Sequence, residues 1–128
     1  MPVEGLPVKV DGHTLVLSNL DKELWPGEYT KRDLIAYFYT VAPFALPHLR
    51  DRPLVVTRYP DGIYGPSFYQ KNLPAHAPAF IPTFPFQTEA GWTVRFVLCN
   101  ERATLVWLAN QAALELHPWF SRVAQPDC

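Results

Sequence analysis

The chain has 128 residues, 48% of them apolar and 14% aromatic, with a formal net charge of −1. That length and apolar content suit one domain spanning residues 1–128 with a core of its own, and exclude a disordered chain. The near-neutral balance excludes a broad basic face, so any nucleic-acid site must be a local pocket.

No apolar run approaches the roughly 18 residues needed to span a membrane. Met1-Pro2-Val3-Glu4-Gly5 lacks the basic and apolar regions of a secretory signal. Cys99 and Cys128 lie far apart, without metal-ligand spacing, and read as a buried thiol and a terminal one. The expectation is a cytoplasmic protein in a reducing compartment, with no membrane partner.

In chain order, Val8-Lys9-Val10 and Thr14-Leu15-Val16-Leu17 flank Asp11-Gly12 and predict a hairpin. Residues 19–28 read as a loop carrying Trp25-Pro26-Gly27. Thr30 with Asp33 has the spacing of a capping box, and Leu34, Phe38, Val41, Ala42 and Ala45 form one apolar stripe of the helix that follows. Pro43 predicts a kink or a second helix start. Residues 54–59 predict a strand, Pro60-Asp61-Gly62 a turn, and residues 67–71 a second strand. Four prolines in 72–87 predict an irregular segment, and residues 92–98 alternate like a strand. Residues 101–116 predict a helix, apolar over most of its circumference and so buried on several sides. The tail beyond Pro118 has little pattern. The fold class is α/β: a small domain with a short mixed or antiparallel sheet and two main helices.

Three stretches carry a resemblance: Asn19-Leu20-Asp21-Lys22 with Trp25-Pro26 and Thr30-Lys31; Arg52-Pro53, Thr57-Arg58-Tyr59-Pro60-Asp61-Gly62 and Phe68-Tyr69-Gln70-Lys71; and residues 102–119, ending in Glu115-Leu116-His117. Together they resemble the opening portion of the polymerase (primase-polymerase) domain of ligase D, the bacterial and archaeal end-joining enzyme of the archaeo-eukaryotic primase superfamily. The resemblance implies that Asn19, Lys22 and Lys31 grip the 5′-phosphate at a DNA break. It also implies that Arg58, Phe68 and Tyr69 contact the template strand, and that His117 binds the triphosphate of an incoming nucleotide. It gives Lys71 no role. Relatives often carry a basic residue where Thr57 stands and an acidic one where Gln70 stands.

Each residue also has a plainer reading. Two lysines near a helix start are commonly solvated. At the first turn of a helix, free backbone N–H groups and the dipole would favour an anion beside Lys31. Phe68 and Tyr69 fall on opposite faces of a strand, so one of them is expected in the core. His117 at a helix end could be a cap favoured by the dipole. His13, His48 and His76 form no metal-ligand pair.

Ligase D polymerases hold two metals with an Asp-x-Asp strand, and no Asp-x-Asp occurs in this chain. Asp127 alone cannot hold two ions. The expectation is no catalytic or metal-binding residue in the chain by itself, with Mg or Mn only if a partner chain completes the site. Both a short stand-alone protein and a fragment fit this pattern. Three functions remain open. The first is a module binding DNA ends that bear a 5′-phosphate in non-homologous end joining. The second is one chain of a split primase-polymerase, completed by a catalytic polymerase half or a ligase partner. The third is a structural remnant that has lost DNA binding.

Overall fold

The computed structural model describes residues 5–74 and 77–119. The expectations placed on His76, Asp127, Cys128 and the tail beyond Trp119 fall outside those residues. Strands β1 (Leu6–Val10) and β2 (His13–Leu17) form the expected Asp-Gly hairpin, with Val10 paired to His13. The turn places Asp11 at φ 49° and Gly12 at φ 88°, the left-handed pair that a two-residue hairpin of this hand requires.

The expected loop 19–28 holds a small hairpin of its own, β3 (Glu23–Trp25) with β4 (Tyr29–Thr30). It feeds directly into helix α1 (Lys31–Leu49). Of the expected stripe on α1, Leu34, Phe38 and Ala42 are buried and Val41 and Ala45 half-buried, while Ile35 and Leu49 are buried in addition. Pro43 neither ends the helix nor starts a new one. Its missing N–H would leave the Tyr39 carbonyl without a partner, and Arg102 fills the gap. The Arg102 Nε donates to that oxygen at 3.2 Å while its guanidinium lies 4.6 Å from the centre of the Tyr39 ring.

The main sheet is antiparallel throughout. Its strands are β5 (Pro53–Arg58), β6 (Phe68–Gln70), β7 (Thr83–Gln87), β8 (Thr93–Leu98) and β9 (Ala113–Pro118). Strand β9 runs along one edge of β5, and β6 and β8 share the other. Strand β7 corrects the expectation of an irregular segment over 72–87. Its Pro85 is tolerated because β7 is an edge strand, where a missing N–H need face no neighbour.

Helix α2 is Arg102–Asn110, shorter than the expected 101–116. Ala112 adopts φ 56° and breaks the helix. Beyond it, Leu114 and Leu116 alternate with Glu115 and His117 in the two-residue period of a strand. Apolar Ala112-Ala113 fits either period, which is why the sequence alone extended the helix too far. The expected burial of α2 holds: every residue from Ala103 to Asn110 is buried. Trp107 and Leu108 meet Leu54, Val56 and Val97 of the sheet, and α1 packs against α2 in turn. The chain's own elements therefore cover this helix, and no apolar face of it is left to mark a missing partner. Cys99 is fully buried in the same core, and burial pushes its thiol up to about 12. Among the described residues, no helix is long and apolar enough to cross a membrane.

Candidate nucleic-acid interface

Three cations, Lys22, Lys31 and Arg58, gather where the loop after β2, the start of α1, the end of β5 and the α2–β9 turn converge. Ser18, Asn19, Lys22, Lys31, Arg58, Pro60, Asn110, Gln111 and Ala112 line a recess of about 240 Å³ there. Its walls are set by hydrogen bonds. Asn110 accepts from the Ser18 N–H (3.0 Å) and donates to the Val16 carbonyl (3.3 Å), tying the end of β2 to α2. Asn19 takes φ 55°, a left-handed turn that asparagine tolerates well, and its carbonyl accepts from the Lys22 N–H.

Lys31 is the most constrained of the cations. It is 5% exposed, and its Nζ donates to the Ser18 carbonyl at 2.8 Å. Burial first, then the nearby charges of Lys22 and Arg58, pull its pKa down to about 8. Burial also lowers that of Arg58. Lys22 is more accessible and pairs with Asp61 at 3.0 Å. The turn that carries Asp61 is clamped against β3. The Ile63 N–H donates to the Leu24 carbonyl, and a Cβ on Gly62 would come within 3.0 Å of that same oxygen.

One expectation about this end of α1 is overturned. The first-turn amides are not free for an anion: Lys31 N–H donates to the Lys22 carbonyl, Arg32 N–H to the Leu20 carbonyl, and Thr30 N–H to the Asp33 carboxylate. The free donors of the recess are therefore side chains, not helix amides. The structure brings Asn19, Lys22 and Lys31 together as anticipated. It adds Arg58, which the sequence reading set with the template contacts.

A second region lies on the sheet face away from α2. Thr57 opposes Tyr69 on β6 and Glu115 on β9, and Val55 opposes His117, so these side chains share one face. His117 Nε2 lies 3.2 Å from Thr57 Oγ1 and 3.4 Å from Glu115, and its ring meets Tyr69 edge-on at 6.1 Å. Tyr59 donates to the same carboxylate at 3.3 Å. His117 thus lies on a strand, and the helix-cap reading falls with the shortened helix. Phe68 and Tyr69 do point to opposite faces, yet both are exposed, 46% and 71%. Strand β6 is short and at the sheet edge, and the Arg58 guanidinium lies 5.2 Å from the Phe68 ring centre.

Sequence reasoning missed Ser18, Asp61, Asn110 and Gln111. Asn110 had a readable signal: a polar residue inside a helix apolar all round needs fixed hydrogen-bond partners. Metal-dependent chemistry needs clustered acids. Among the described residues, no three of His, Cys, Asp and Glu lie close enough to hold an ion, so these residues do not fit a metal site by themselves.

The comparisons with known proteins agree with this architecture. Residues 30–128 match the model of the LigD primase-polymerase domain. The chain belongs to the LigD primase-polymerase domain family. It is 37% identical over 110 residues to the bifunctional non-homologous end joining protein LigD of Bacillus subtilis, covering 85% of this chain and 17% of that protein. It is 35% identical over 114 residues to the multifunctional non-homologous end joining DNA repair protein LigD of Mycobacterium tuberculosis, covering 88% and 15%. Among solved structures, the polymerase domain of Mycobacterium tuberculosis ligase D in complex with DNA superposes with a TM-score of 0.80. The sequences there are 34% identical, covering 84% of this chain and 38% of the other. This LigD primase-polymerase chain therefore spans less than a fifth of the curated relatives it matches.

Proposed function

We propose that this chain is a DNA-end-binding module of non-homologous end joining, and that the recess between α1, α2 and β5 takes the 5′-phosphate at a break. The observation that carries this reading is the convergence of Lys22, Lys31 and Arg58 on one polar recess, with Asn19 at its rim. Three cations drawn together, one of them buried at a cost to its own charged state, are difficult to account for without an anion. A terminal phosphate offers two negative charges and several acceptor oxygens, matching Nζ donors from two directions and the amide of Asn19.

Phe68 and Tyr69 then supply exposed rings for the unpaired template bases beside the break. Stacking of this kind is indifferent to which base is present. The His117 face is assigned to the phosphates of an incoming nucleotide, with Thr57 and Glu115 orienting the imidazole. Support for DNA as the ligand comes from the relatives. Their names tie them to non-homologous end joining, and the solved relative is a complex with DNA.

The test is fluorescence anisotropy with a recessed duplex bearing either a 5′-phosphate or a 5′-hydroxyl, across a salt series. Tighter binding of the phosphorylated end is expected, with a shallow salt slope because only a few phosphates are contacted. Equal binding of the two ends would overturn the reading.

A further inference from the structure

Resting on the phosphate reading of the recess, we infer that Arg58 is a direct ligand of the terminal phosphate, held in place by Gln70 as a neutral partner, and does not contact the template. The first ground is direction. Register along β5 and β9 slips between Thr57 and Arg58, so that Arg58 faces Ala113 where an unbroken ladder would give Leu114. The extra residue lies on β9, so β5 keeps its two-residue alternation and Arg58 points to the face opposite Thr57, with Leu54 and Val56. Arg58 lines the recess with Lys22 and Lys31, whereas Thr57, Tyr69 and His117 lie on the other face of the sheet.

The second ground is the way the guanidinium is held. Its Nε donates to the Gln111 carbonyl at 2.7 Å and its Nη1 to Gln70 Oε1 at 3.1 Å. The Gln70 Nε2 in turn donates to the Asn72 carbonyl at 3.3 Å, which turns the amide oxygen toward Arg58. Both acceptors are neutral, and among the described residues no carboxylate pairs with Arg58. The group is therefore fixed in orientation while its full charge stays available. Its Nη2 makes no hydrogen bond within the described protein, leaving donors for a bidentate contact with phosphate oxygens.

The depressed pKa of Lys31 is the third ground, because the Arg58 charge is one of its causes, so the two cations feel each other across the same recess. Gln70 matters because a carboxylate at that position would pair with the guanidinium and cancel its charge. An amide of the same shape orients it and cancels nothing. The departure noted in the sequence at Gln70 thus bears on how strongly this site binds an anion.

The experiment compares the wild-type chain with Arg58→Gln, Arg58→Lys and Gln70→Glu. Each is titrated against recessed duplexes bearing a 5′-phosphate or a 5′-hydroxyl at one salt concentration, with folding checked by thermal melting. Arg58→Gln should weaken binding of the phosphorylated end about tenfold or more while changing the hydroxyl end little, because a charge-assisted contact to phosphate is lost. Arg58→Lys should recover part of that loss, since the charge returns without the fork. Gln70→Glu should lower phosphate preference several-fold with Arg58 in place, and it serves even if Arg58→Gln fails to fold.

Equal weakening of both ends by Arg58→Gln and Gln70→Glu would return Arg58 to the template and overturn the inference. So would an unchanged preference in both variants. A wild-type chain that binds the two ends equally would overturn the phosphate reading itself, and this inference with it.

Discussion

Strand β5 serves two regions that differ in how their charge is arranged. Arg58 turns toward the recess beside Lys22 and Lys31, while its neighbour Thr57 turns to the open face with Tyr69, Glu115 and His117. In the recess, positive groups crowd together, and one of them, Lys22, pairs with Asp61. On the open face, an acid and an imidazole lie side by side among hydroxyls and an aromatic ring. The first arrangement is poised for a compact anion. The second holds groups that orient one another and offers a ring for stacking. A chain of net charge −1 can thus hold a local cluster of cations, because charge is gathered in one place and balanced elsewhere.

The sharpest way to break this contrast is to remove the crowding. Lys22→Ala with Lys31→Met should abolish the preference for a 5′-phosphate, a loss on the order of 3–6 kcal/mol if each charged contact contributes about 1.5–3 kcal/mol. Competition between phosphorylated and hydroxyl ends measures it. Lys31→Met removes a buried charge but also the donor to the Ser18 carbonyl, so thermal melting accompanies the competition to show that the variant stays folded.

The open face answers to a different change. Tyr69→Ala should weaken binding to a recessed end with an unpaired template by about 1–3 kcal/mol, and leave the phosphate preference intact. A drop in that preference would mean that the two regions act as one site.

Next in size is the effect of pH on the recess. The Lys31 pKa falls from 10.5 to about 8 in the folded chain. Between those values the unfolded chain holds a proton that the folded chain has lost, so this group's contribution to stability rises with pH across that window. A bound phosphate favours the charged form and draws the proton back. Affinity for the phosphorylated end should therefore fall as pH rises through about 8, by at most about tenfold per unit. The hydroxyl end should show no such fall. Calorimetry in buffers of different ionisation enthalpy would detect the proton taken up.

The smallest effect belongs to the rim. Asp61 pairs with Lys22 and would compete with a phosphate for it, but the pair is exposed, and such pairs contribute only about 0.2–1 kcal/mol. Asp61→Asn should tighten binding of the phosphorylated end by about two- to fivefold at low salt, an effect that fades as salt is raised. Weaker binding would mean that Asp61 holds Lys22 in place for the ligand.

What the sequence determined by itself was mostly local. The Asp-Gly hairpin, the Thr30–Asp33 start of α1, its apolar stripe and the burial of α2 all follow from spacing and turn chemistry within a few residues. Asn19, Lys22 and Lys31 were legible as a set because they lie within one short stretch of chain, whose motif resembles that of the family. Other features were decided by tertiary contacts that no local pattern encodes. Helix α1 continues through Pro43, and the Tyr39 carbonyl that Pro43 leaves unpaired receives a hydrogen bond from Arg102, far along the chain. His117 lies on a strand because β9 can pair with β5, a gain that outweighs the helical preference of Ala112-Ala113. Arg58 joined the lysines because alternation along β5 turns it away from Thr57, and only the assembled fold brings the start of α1 and the α2–β9 turn to that side of the sheet.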